Sequence, residues 1–169
     1  YYSAAASADR FTGNKAISGT FAMANKVFFI DGDLSFNNNA NLTGMGIFYV
    51  TGDISMGNNV VLGKVLLIAA GKKSGGVHVG GSITIPNNSN FGTVLLVAQR
   101  NIALGNNGVI SGLAVAYGID DDNNGVPDTN TGNLVADKVT FTYNNSLVNE
   151  FKSLEATLFG GGITNWSNH

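Results

Sequence analysis

The run Asp120–Asp128 (DDDNNGVPD) holds the residue types and spacing in this chain best suited to chemistry. Side-chain oxygens fall at Asp120, Asp122, Asn124 and Asp128, Gly125 sits at the turn, and the carbonyl of Val126 adds another donor. Oxygens at positions 1, 3, 5, 7 and 9 with glycine at 6 are the spacing that gathers hard donors around Ca²⁺. Position 12 is Thr131, so the bidentate glutamate of a full helix–loop–helix calcium site is missing. The expectation is a loop stiffened by Ca²⁺ rather than a catalytic centre. The alternative is a solvated acidic loop whose charges keep a sheet edge soluble.

Asp31, Asp33 and Asp53 could form an acidic row of the kind a carbohydrate-active β-helix uses. Glycosidase chemistry needs two carboxylates at a set separation, and lyase chemistry needs a base near the uronate. Little of that is available: the arginines are Arg10 and Arg100, the histidines His78 and His169. His78 alternates with Val77 and Val79 and is expected to point outward from a strand; a lone histidine makes no zinc site. Gly71–Gly76 (GKKSGG) lacks the order of a phosphate-binding loop and reads as a surface loop. Tyr1, Tyr2, Phe11 and Trp166 are expected to anchor the ends to the core rather than to form a ligand platform.

The elements that must position these residues repeat. Four phrases recur: FIDGDLSFNN at 29–38, YVTGDISMGN at 49–58, HVGGSITIPN at 78–87 and VAQRNIALGN at 97–106. Aligned on Ile30, Val50, Val79 and Ala98, they step by 20, 29 and 19 residues, and a weaker copy follows at Val135–Phe141. Short alternating strands punctuated by Gly, Asn and Pro at such a period predict an all-β fold. The architecture expected is a right-handed parallel β-solenoid (β-helix) of about five coils, one strand face inward and the other in solvent. Asn side chains at the turns would stack in hydrogen-bonded ladders. A β-sandwich also suits short strands, but has no reason to repeat the phrase in register.

One domain is expected, with a lead-in segment at 1–26, coils over 27–143, insertions at 71–76 and 119–133, and a helical cap and tail at 144–169. Leu147, Val148, Phe151, Leu154 and Leu158 lie at helical spacing, with Asn145 or Ser146 as N-cap. That amphipathic helix is expected to cover an open end of the solenoid. Ile163 and Trp166 would anchor the tail beyond it.

Charged residues make up 12% of the chain and the formal net charge is −2, so the basic footprint of a nucleic-acid binder is missing. Zero cysteines exclude a disulfide framework and Cys-ligated metals. The chain begins at Tyr1 without Met, which reads as a processed or truncated product; any export signal or membrane anchor would lie upstream.

FFIDGDLSFNNN (28–39), LTGMGIFYVTGDISMGNN (42–59), VGGSITIPNN (79–88), the opening YYSAAASADRFTGN and Trp166 resemble the C-terminal β-solenoid region of PilX-like, pilus-associated proteins, relatives of the minor pilins. The resemblance implies a non-enzymatic, extracellular part of a bacterial type IV pilus or related filament, with other pilin or filament subunits as partners. Adhesion to a surface or carbohydrate ligand is a further implied role. The Asp-rich run is similar to thrombospondin type 3 and dockerin-like calcium loops. Two rival functions stand beside this one: a self-assembling scaffold in the manner of bactofilins, and a carbohydrate-binding or carbohydrate-active β-helix.

Overall fold

The computed structural model describes residues 3, 5–87, 89–119, 128, 131–136 and 138–159. Within them the chain winds as a β-solenoid of about five turns followed by one α-helix. A 3-10 turn at Ser7–Asp9 leads into β1 (Arg10–Thr12), β2 (Lys15–Ile17) and β3 (Thr20–Ala22). The next winding holds β4 (Lys26–Asp31), β5 (Leu34–Phe36) and β6 (Asn41–Thr43), and the one after it β7 (Met45–Val50) and β8 (Ile54–Met56). Then come β9 (Lys64–Ala69), a hairpin of β10 (Lys72–Ser74) and β11 (Val77–Val79), and β12 (Ile83–Ile85). The chain continues through β13 (Asn90–Ala98), β14 (Ile102–Leu104), β15 (Val109–Ala116), β16 (Leu134–Ala136) and β17 (Thr140–Tyr143) to α1 (Asn145–Phe159).

Two parallel sheets form the main walls. One has seven strands in the order β1-β4-β7-β9-β13-β15-β17, the other six in the order β16-β14-β12-β8-β5-β2. Each strand therefore pairs with its equivalent one winding along, as the repeat predicts. The register corrects one detail of that repeat. Ala69, not Val79, pairs with Val50, while Ile83 pairs with Ile54. The hairpin is thus inserted inside the phrase, between its first strand and its second, and Val79 belongs to the insertion. Residues 10–22 already form a full winding, paired with β4, β5 and β6.

The walls differ in what their outer faces meet. In the six-stranded sheet β8, β12 and β14 alternate buried–exposed–buried, so Ser55, Thr84 and Ala103 face water. That is the pattern expected of every strand. The seven-stranded sheet departs from it, because VFFI, IFYV, VLLIA and VLLVA are apolar at consecutive positions. Phe28, Phe48, Leu67 and Leu96 fill the interior, while Val27, Ile47, Leu66 and Leu95 form a second buried cluster on the outside. A parallel sheet with apolar residues on both faces needs a covering layer.

The C-terminal helix is that layer. Leu147, Phe151 and Leu154 join the outer cluster, so α1 lies across the flank of the sheet and does not plug an end of the solenoid. A 15-residue helix spans ~22 Å, and its apolar residues share one cluster with residues of β4, β7, β9 and β13. Its N-cap is Asn144, whose Oδ1 accepts the Leu147 N–H at 3.0 Å, one position before the residues the sequence suggested. Lys64 Nζ reaches Glu150 Oε2 at 2.5 Å, an exposed pair worth at most ~1 kcal/mol, so the apolar contacts carry the docking. Ile163 and Trp166 lie outside the described residues, as do Tyr1, Tyr2 and His169.

Candidate functional site

The chain passes from the seven-stranded to the six-stranded sheet at one corner of the solenoid, and the phrase G-D falls there. Asn14 Oδ1 accepts the Asp33 N–H at 2.9 Å, Asp33 Oδ1 accepts the Asp53 N–H at 2.9 Å, and Asp53 Oδ1 accepts the Ser82 N–H at 2.9 Å. Further along, Asn101 Oδ1 accepts the Asn133 N–H at 3.0 Å. A matching ladder follows the second sheet, where Asn38 takes the Asn58 N–H and Asn87 the Asn106 N–H, each at 2.8 Å. The next asparagine in the turn, Asn39, Asn59 or Asn107, adopts a left-handed backbone with φ near 60°, a conformation asparagine tolerates best among residues with a side chain.

Gly52 shows why this corner admits no larger residue: a Cβ there would fall 2.1 Å from Asp33 Oδ1 and 2.6 Å from the Gly32 carbonyl. Its glycine serves the close stacking of windings. The acidic row is accordingly engaged in holding one winding to the next. Asp33 and Asp53 cap backbone amides, and Asp31 accepts from Thr51 Oγ1 at 2.9 Å and from Lys72 Nζ at 3.2 Å.

The Thr51 hydrogen bond first, then the bond and charge of Lys72, hold the Asp31 carboxyl below its ordinary range. A carboxylate depressed on folding stabilises the native state at pH values above its unfolded pKa, and that contribution disappears as pH falls through the folded value. Lys72→Ala is therefore expected to move the Asp31 titration upward, toward the ordinary carboxylate value, when followed by carboxyl-carbon NMR. An unchanged midpoint would show that Lys72 does not hold this group.

Both insertions leave from the same corner. The first is an antiparallel hairpin, Lys72–Ser74 against Val77–Val79, turned by Gly75 and Gly76 at φ +60° and +85°. His78 is half-buried within it, and Val77 and Val79 are exposed. The second insertion spans 119–133. Asp120, Asp122, Asn124 and Val126 lie outside the described residues; of the five predicted Ca²⁺ donors only Asp128 is described. Its N–H donates to the Ile119 carbonyl at 2.5 Å, and Thr131 Oγ1 accepts the Ile119 N–H at 3.0 Å while lying 2.8 Å from the Asp128 carbonyl. Thr131, the residue that departs from the calcium-loop pattern, is the clasp that closes the insertion's neck. Among the described residues no three His, Cys, Asp or Glu side chains gather in a metal-binding group.

Arg100 ties the two insertions together, a role its sequence context does not reveal. Its Nη2 donates to the His78 carbonyl at 2.9 Å, and its own carbonyl accepts the Gly132 N–H at 2.6 Å. Nearby, Gln99 Nε2 donates to the Gly118 carbonyl at 3.0 Å. The sequence reading also missed an apolar groove of about 240 Å³ beside α1, lined by Leu95, Val97, Leu113, Val115, Tyr117 and Phe151 among others. Its signal was present in the consecutive apolar residues of VLLVA and LAVAY. Comparison of the chain with protein families, curated proteins and solved structures finds no match.

Proposed function

We propose that this chain is a non-enzymatic structural module of an extracellular, pilus-associated assembly, in which a stiff solenoid holds two insertions at one corner. The observation that carries this reading is the ladder. The repeated Asp and Asn side chains bond to the backbone of adjacent windings, so Asp33 and Asp53, which could have belonged to a catalytic acidic row, build a rod. The resemblance of the repeat to PilX-like solenoids supports the location and the partners, which are pilin or other filament subunits, with adhesion to a surface carbohydrate as one role of the insertions.

Ca²⁺ held by Asp120, Asp122, Asn124, the Val126 carbonyl and Asp128 belongs to the same proposal and rests on their spacing. A ligand that binds only the folded chain raises its melting temperature, so Ca²⁺ should raise it relative to chelator and Asp122→Ala should remove the difference. Equal melting of the wild-type chain in Ca²⁺ and in chelator would sink the metal site. For the location, antibodies raised against this chain should label intact source cells and the filaments sheared from them. Signal confined to the cytoplasm after lysis would overturn the surface reading.

A further inference from the structure

The solenoid's ends are unlike, and each is shaped to meet the other. In the six-stranded sheet one inward column runs Lys15, Leu34, Ile54, Ile83, Ile102, Leu134, every neighbour paired in register. Leu34, Ile54, Ile83 and Ile102 are at most 1% exposed, yet Leu134 is 50% exposed and Val135 beside it 61%. The interior column simply comes to the surface at the last winding. Among the described residues β16 pairs with β14 alone, and β2, at the opposite end, with β5 alone. Free parallel edges of this kind are templates for another strand.

Three features make the opposite end the fitting occupant. The first is the polar ladder, which begins at Asn14 and ends at Asn133. In each observed rung an Asx oxygen accepts the N–H of the equivalent residue in the next winding, so Asn133 of one copy stands in the place to accept the Asn14 N–H of another. The second is charge. The neck of the insertion before β16 carries Asp128, whereas Lys15 lies just past the same corner in the first winding. The third is shape. Lys15 holds its ammonium 4.3 Å from the Phe11 ring centroid, and Phe11 and Phe21 pack on the core, so the first winding presents an apolar floor with a basic rim.

We infer that a second copy of this chain docks head to tail, β2 of one adding in parallel to β16 of the other, with Lys15 beside Leu134, Ala16 beside Val135 and Ile17 beside Ala136. Such a heterologous contact leaves the same two ends free on the dimer and therefore propagates into a filament. The inference does not rest on a surface location: it fails or holds in purified protein, whereas the location is decided on cells.

The chain has no cysteine, so introduced ones report the contact directly. In-register neighbours on parallel strands lie ~4.8 Å apart, within disulfide range. A mixture of Val135→Cys and Ala16→Cys proteins under mild oxidation should give a disulfide-linked heterodimer on a non-reducing gel, with neither protein forming the homodimer alone. Sedimentation of the wild-type chain should show association that grows with concentration and weakens with salt. Leu134→Lys, at a half-exposed position, should abolish association while leaving the circular dichroism spectrum and melting temperature unchanged. A monomeric wild-type chain at hundreds of micromolar, equal homodimer formation by Val135→Cys, or undiminished association of Leu134→Lys would each overturn the head-to-tail contact.

Discussion

Replacing Phe48 with alanine is expected to cost about 3–5 kcal/mol, the range for deleting a fully buried phenylalanine with incomplete collapse of the cavity. Phe48 is 1% exposed and sits where three windings meet. Its ring stacks on Phe28 at 4.7 Å, meets Phe36 edge-on at 5.7 Å and lies 6.1 Å from Phe21. No side chain from the opposite end of the rod can fill the space, because in a solenoid each winding touches only its neighbours. The loss therefore concentrates at the joint between the second and third windings. Domains of this size are stable by only ~5–15 kcal/mol in total, so this one substitution removes a large share. Urea unfolding followed by far-UV circular dichroism should show the midpoint falling steeply, with Ser55→Ala, which faces water on β8, as the near-neutral control. A cost below about 1 kcal/mol for Phe48→Ala would contradict a close-packed interior at this position.

How much of this was legible in the amino-acid sequence depended on whether one periodicity acted alone. LSF, ISM, ITI and IAL alternate cleanly, and their strands stack in register as the repeat implies. The Asn ladder was readable for the same reason: a side chain recurring once per winding at a turn is placed against its own equivalent, whereas the ladder through Asp33 and Asp53 shows only in the structure. VFFI, IFYV and VLLIA carried two messages at once, since alternate residues serve the interior and the intervening ones serve the helix. Reading only the inward set leaves α1 without a partner and sends it to an open end.

The misalignment of Val79 has a comparable origin. H-V-G-G-S-I-T-I matches the phrase locally, but its leading residues are the returning strand of a hairpin, and only the pairing of Ala69 with Val50 distinguishes the two. Arg100 escaped notice because its contacts join segments that the insertions separate in sequence. The Ca²⁺ reading falls largely outside the described residues, and what is described of that insertion is its neck, where Thr131 serves the backbone.

Phe151→Ala is expected to produce an effect of similar size by a different route. Phe151 is 2% exposed and, with Leu147 and Leu154, forms the stripe that holds α1 on the sheet. A helix of 15 residues is marginal by itself in water. Its order depends on this docking, helped by the Asn144 cap. Truncation removes about 3–5 kcal/mol from an element held by few side chains, so local detachment becomes cheaper than global unfolding. Hydrogen exchange should accordingly show the amides of α1 losing protection while those of β5, β8, β12 and β14, on the far wall, keep theirs. Detachment would also uncover Val27, Ile47, Leu66 and Leu95 as one continuous apolar row, a patch of the kind that drives association, so dye binding and aggregation should rise together. Equal loss of protection in both walls would instead mean that helix and solenoid unfold as one unit. The double covering of the seven-stranded sheet would then be part of what holds the windings together, and not a layer added to a rod already stable without it.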